Sequence, residues 1–153
     1  MTYINTLGFS ILAQLLLYKT KNKGVFMLKV LVIDDDKLIR WSLKEILSQE
    51  GHDVDVVSNI NDAFSQTEKV SYQLIFADFE IENESYVDML KKLQKSHPET
   101  QIIILSAQSQ KQIEPQISGI SVHAIIEKPF DSQQIRALSH GIQDKKIKGK
   151  TYY

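Results

Sequence analysis

Residues 28–36 read LKVLVIDDD. The core of this stretch, Lys29–Ile33, is apolar and β-branched, the signature of a buried strand. Three adjacent carboxylates, Asp34, Asp35 and Asp36, stand at its exit. Carboxylates crowded at the end of a buried strand repel one another, and one is forced to hold its proton unless a cation relieves them. The stretch therefore implies both a covered sheet and a charged site at its carboxyl edge.

The chain beyond repeats this arrangement. Leu38, Ile39, Leu43, Ile46 and Leu47 fall at helical spacing, and Gly51 stands where a glycine stops a helix. His52–Ser58 alternates apolar and polar residues, as a strand near a sheet edge does. Asn59 caps a helix with Ile60, Ala63, Phe64 and Thr67 inward. Gln73–Ala77 is a second continuous apolar strand, ending in Asp78. Tyr86, Val87, Leu90 and Leu93 mark a helix closed by His97-Pro98. Gln101–Leu105 is a third buried strand and ends at Ser106. Residues 109–118 read as a weak helix, because Pro115 falls inside it. Val122–Ile126 is the last strand, followed by Glu127-Lys128-Pro129-Phe130. Asp131 caps a final helix, with Gln134 placed for a capping box and Ile135, Leu138 and Ile142 as its buried stripe.

Five strand–helix units with continuous apolar strands predict an α/β fold, a doubly wound five-stranded parallel sheet covered on both faces. In such sheets ligands bind outside the carboxyl ends of the strands. Asp34, Asp35, Asp36, Asp78, Ser106 and Lys128 all fall at those ends. Mg²⁺ takes oxygen ligands of this kind, commonly one or two carboxylates with waters and a substrate phosphate. A lysine adds a compact positive charge and a serine a movable donor. This set suits phosphoryl transfer onto a carboxylate, with an aspartate as the attacking group.

Composition narrows the alternatives. The chain has 153 residues, a formal net charge of −1 and no cysteine, so a disulfide framework, a thiolate metal site and a cysteine nucleophile are excluded. The near-neutral charge gives no global attraction to nucleic acid. The absence of cysteine suits a cytoplasmic setting. Its four histidines are scattered without metal-binding spacing, and structural or exposed roles are expected for them. Residues 3–18 carry no charge but are short for a membrane span, which needs about 20 apolar residues. For residues 1–26 three readings stand: a stretch upstream of a true start at Met27, an amphipathic docking helix, or a weak anchor. Residues 27–143 form the expected domain. Residues 144–153 form a lysine-rich tail, expected to be loose.

Taken in order, VLVIDDD, YQLIFAD, IIILSA and EKPFD make residues 28–143 resemble a response-regulator receiver domain of bacterial two-component signalling, with the CheY-like (flavodoxin-like) strand order 2-1-3-4-5. The stretch DDDKLIRWSLKEIL is similar to receivers of the NtrC type, which precede an ATPase and a DNA-binding domain. Residues 129–153 are too few for either, so no direct DNA binding is expected. The resemblance implies Asp78 as phosphoacceptor and Mg²⁺ as cofactor, held by Asp35, by Asp34 largely through water, by Asp78 and by the Glu80 backbone carbonyl. It implies that Ser106 hydrogen-bonds the phosphoryl group and that Lys128, before a cis Pro129, contacts a phosphoryl oxygen. The implied partners are a sensor histidine kinase or phosphotransfer protein and a downstream effector, with a homodimer also open. Membrane contact is expected only if residues 1–26 are used.

Four features depart from the family pattern. Ile81-Glu82-Asn83-Glu84-Ser85-Tyr86 lacks the proline and glycine usual after the phosphoacceptor. Glu80 adds a carboxylate two residues past Asp78, where it could tune water attack or kinase access. The position of the usual aromatic switch is Ile125. Pro115, with two extra residues after Gly119, disturbs the fourth helix. Blander assignments stand beside these: Asp36 as a helix N-cap, Trp41 on a helix surface, Glu82 and Glu84 on a solvated face. Two competing functions remain: a degenerate receiver that docks partners without phosphorylation, and a haloacid-dehalogenase-type phosphatase suggested by Asp34-x-Asp36. A third reading is the receiver of a truncated transcription factor.

Overall fold

A computed structural model of the chain describes residues 26–80 and 86–148, with side chains to residue 143, and Ala13 by itself. The readings of the first 25 residues, of the loop at 81–85 and of the tail lysines lie outside these described side chains. Among the described residues from 26 to 148, five strands alternate with five helices: β1 (Lys29–Ile33), α1 (Lys37–Gln49), β2 (Asp53–Val57), α2 (Ile60–Lys69), β3 (Leu74–Asp78), α3 (Tyr86–Ser96), β4 (Gln101–Ser106), α4 (Gln110–Ile113), β5 (Ala124–Glu127) and α5 (Ser132–Lys148). All pairings are parallel, and the sheet order is β2-β1-β3-β4-β5, as expected.

Side chains alternate across a strand, so each apolar strand supplies two cores. Val30, Val32, Leu74, Phe76, Ile103 and Leu105 pack with Leu43 and Leu47 of α1 and with Ile135 and Ile142 of α5. Leu31, Ile33, Ile75, Ala77, Ile102 and Ile104 face the other way, onto Ile60 and Ala63 of α2, Tyr86, Leu90 and Leu93 of α3, and Ile113 of α4. Burial on both faces is why the three central strands read as unbroken apolar runs rather than alternating ones.

Helix ends follow their local chemistry. Asp36 caps α1 by accepting from the Leu38 and Ile39 N–H groups, the role expected of it. Such a cap stabilises by about 1 kcal/mol. Gly51 follows α1 with φ of +84°, a left-handed conformation that only glycine adopts cheaply. Asn59 caps α2 through the Asp62 N–H.

Beside one-residue shifts at the ends of β2, β3 and β4, three larger differences from expectation appear. Strand β5 begins at Ala124 rather than Val122, because pairing with β4 starts at Ile103–Ala124. The capping box falls at α4, where Gln112 Oε1 accepts from the Ser109 N–H, while Gln134 bonds Asp131 through its backbone alone. That box starts α4 but does not prolong it: the helix stops at Ile113, two residues short of Pro115. Finally, α5 runs on to Lys148, into the stretch expected as a loose tail.

Candidate functional site

Register assembles the site. Ile33 pairs with Ala77, so Asp34 and Asp78, each one residue further on, emerge side by side. Asp78 pairs with Leu105, which sets Ser106 just beyond. Ser106 pairs with Glu127, and Lys128 follows, its N–H donating to the Ser106 carbonyl at 2.7 Å. The Lys128–Pro129 peptide is cis, as the resemblance implied.

The Lys128 ammonium lies 2.9 Å from Asp78 Oδ1, 3.2 Å from Asp34 Oδ2 and 3.7 Å from Glu80 Oε2. Asp34 is fully buried and Asp78 is 1% exposed, whereas Asp35 is open to solvent. Asp34, Asp35 and Asp78 each offer a carboxylate oxygen within 4.8 Å of the others. Asp36 points away into its cap. Thus Asp34, Asp35, Asp78, Glu80, Ser106 and Lys128 are brought together, and Asp36 is not.

One ammonium faces three carboxylates, with Asp35 beside them. The imbalance shows in their protonation. Burial is the main reason the Asp34 carboxyl lies above its ordinary range, against the Asp36 N–H and Lys128, which pull it down. Burial and a hydrogen bond with Glu80 push the Asp78 carboxyl up to about 7, with Lys128 opposing. Burial would raise Glu80 too, but its bonds with Asp78, Ser106 and the Ala107 N–H hold it below the usual value. Burial lowers the Lys128 pKa, yet Asp78 and Asp34 more than compensate, so the ammonium stays charged. A cluster of oxygen donors with excess negative charge, partly dry and open on the Asp35 side, fits a hard divalent cation.

Two contacts were not legible in the sequence. Arg40 Nη1 donates to the backbone carbonyls of Asp34 and Asp35, at 2.8 and 2.9 Å, and so fixes the loop carrying both acids. An arginine in the first turn of the helix after the acidic run was the available signal. The Glu80 side chain turns inward: Oε1 accepts from Ser106 Oγ at 2.7 Å and from the Ala107 N–H at 2.6 Å. Nearby, Tyr86 is buried, edge-on to Phe79 with ring centroids 6.3 Å apart, where the family pattern has glycine.

The chain is similar to known proteins in sequence and in fold. The chain is 28% identical over 106 residues to the DNA-binding transcriptional regulator NtrC of Rhizobium meliloti, covering 69% of this chain and 22% of that protein. It therefore spans less than a quarter of that relative's length. The response regulator TrrA of Thermotoga maritima, solved in complex with Mg²⁺-BeF, is 26% identical, with a TM-score of 0.67 over 76% of this chain and 99% of that one. A CheY-like receiver domain protein from Methanospirillum hungatei superposes with a TM-score of 0.73 at 21% identity, over 81% of this chain and 99% of that one, a likeness of fold. The family model for the response regulator receiver domain matches residues 30–140. The strand order, the convergence of carboxylates with a lysine at the strand ends and that match agree: the chain belongs to the response regulator receiver domain family.

Proposed function

We propose that the chain is a phosphoacceptor receiver, which takes a phosphoryl group from a phosphohistidine of a sensor histidine kinase or phosphotransfer protein onto Asp78. The carrying observation is the grouping of Asp34, Asp35 and Asp78 oxygens within 4.8 Å, with the Lys128 ammonium 2.9 Å from Asp78. In the transfer, an Asp78 carboxylate oxygen attacks phosphorus and a P–O bond forms. The P–N bond to imidazole breaks, and the leaving nitrogen keeps the electron pair and takes a proton. Lys128 supplies positive charge to a phosphoryl oxygen and Ser106 a hydroxyl donor. Asp34, Asp35, Asp78 and the Glu80 carbonyl would hold Mg²⁺, which when bound neutralises charge on the phosphoryl oxygens. The Mg²⁺-BeF complex of TrrA supports this assignment.

The signal would pass to a downstream effector protein by conformational change, with a homodimer as one form of output. The proposed setting is the cytoplasm, as for a partner of a sensor kinase's phosphohistidine. Separately, among the described residues no helix is long and apolar enough to cross a membrane. The test is intact mass after incubation with acetyl phosphate, with and without Mg²⁺, for wild type and Asp78→Asn. A single phosphoryl adduct requiring both Mg²⁺ and Asp78 is expected. Failure to form it with acetyl phosphate and with a phosphorylated cognate kinase would leave a docking module in its place.

A further inference from the structure

The Glu80 carboxylate sits among the donors that a phosphoryl group on Asp78 would use. Ser106 Oγ donates to Oε1 at 2.7 Å, the Ala107 N–H donates to the same oxygen at 2.6 Å, and the Lys128 ammonium lies 3.7 Å from Oε2. Those groups come from two different strand ends, β4 and β5, and converge on one anion supplied by the end of β3. Glu80 is held in place from its own side as well, its N–H donating to Asp78 Oδ1 at 3.2 Å. The hydroxyl of Ser106 is itself locked, accepting from the Gln108 N–H at 2.9 Å while it donates to Glu80.

We propose that Glu80 is a built-in occupant of the phosphoryl pocket: its carboxylate holds Ser106 and Ala107 in their anion-bound arrangement before phosphorylation and must be displaced when Asp78 is phosphorylated. The inference rests on the phosphoacceptor reading of Asp78. It follows from charge and room. A phosphoryl group on Asp78 brings oxygens that need the same hydroxyl, N–H and ammonium, and it brings negative charge that repels a carboxylate already there. Hydrogen bonds to a charged acceptor are the stronger kind, so the displacement has a cost that an uncharged residue at this position would not impose. Glu80 thus acts as a positioning residue for Ser106 and as an intramolecular competitor of the phosphoryl group. It also separates the placement of Ser106 from phosphorylation, since the hydroxyl is turned inward without it.

The probe is beryllofluoride with Mg²⁺, a stable phosphoryl stand-in, titrated into the full chain and followed by backbone amide NMR. Wild type, Glu80→Ala, Glu80→Gln and Asp78→Asn are compared. Before any analogue is added, the Ala107 amide resonance moves upfield in Glu80→Ala, because its short bond to the carboxylate is lost. On titration, Glu80→Ala takes the analogue about tenfold more tightly than wild type, the factor set by one charged competitor removed. Glu80→Gln, which keeps an acceptor for Ser106 without the charge, falls between. Binding to wild type that depends on Asp78 but is equal or weaker in Glu80→Ala overturns this inference and leaves the phosphoacceptor reading standing. Binding that ignores Asp78→Asn, or no binding in any chain, overturns both.

Discussion

Lys128 Nζ lies 2.9 Å from Asp78 Oδ1, a contact between residues 50 positions apart and the tightest link between the fifth strand end and the third. The same ammonium also reaches Asp34, so one cation serves two carboxylates with almost no solvent contact. Removing it by Lys128→Met leaves both unpaired in a dry site. Without metal and at alkaline pH, above the raised Asp78 value of about 7, the variant is expected to lose about 3 kcal/mol of stability, since breaking a buried pair costs more than the pair contributes. Urea unfolding in excess chelator measures this, and an unchanged midpoint would show that Asp34 and Asp78 are not both charged there.

Asp78→Asn should act in the opposite direction. It removes one of the like charges that crowd Lys128, so the metal-free variant is expected to be at least as stable as wild type. Added Mg²⁺ then separates the two chains. A ligand that binds only the folded state raises stability with its concentration. Wild type gains, while Asp78→Asn, Asp34→Asn and Asp35→Asn gain less. Equal gains in all four chains would remove Mg²⁺ from this cluster.

Arg40 predicts a weaker effect of a different kind. Its guanidinium touches no carboxylate in the cluster; it clamps the carbonyls of Asp34 and Asp35. Outer contacts of this sort change metal affinity by about 10- to 100-fold when removed. Arg40→Ala is expected to weaken Mg²⁺ binding by about tenfold while the fold persists. Calorimetric titration checks it, and unchanged affinity would make Arg40 a bystander.

The fold was legible because burial on both sheet faces leaves apolar runs of strand length, and because each run ends in the residue the site uses. Asp34, Asp78 and Ser106 follow their strands immediately, so parallel register alone places them together. The side-chain contacts of Glu80 and Arg40 were hidden for one physical reason. Each depends on which way a long side chain turns after the elements have packed, and sequence spacing does not encode that rotation. The start of β5 was misplaced because Val122 is as apolar as the strand it precedes, while pairing with β4 begins at Ala124. Residues 144–148 of the expected tail are helical, because lysine is a good helix former and its abundance does not by itself mark a loose end.

His52 gives the molecule a pH dependence away from the acidic cluster. It is buried between α1, β2 and α5, and its Nδ1 accepts from the Leu28 N–H at 3.4 Å, with Gln143 Nε2 at 3.5 Å. Its proton therefore sits on Nε2, which has no hydrogen-bond partner. Burial, aided by His140, keeps the ring below the usual histidine pKa, with Glu50 pulling the other way. A depressed pKa means that the unfolded chain binds the proton first as pH falls. The contribution of His52 is thus complete above its ordinary value of 6.5 and is lost as pH falls through the folded value. Asp78, raised to about 7, and Asp34, also raised by burial, work in the reverse sense, so the measurement belongs in an Asp34→Asn, Asp78→Asn background. Urea midpoints should then fall from about pH 8 to about pH 5.5. Adding His52→Leu lowers the midpoint at the alkaline end, because the Leu28 N–H loses its acceptor, at a cost of about 1 kcal/mol. It also flattens the profile. Parallel profiles for the two chains would place the titrating group elsewhere.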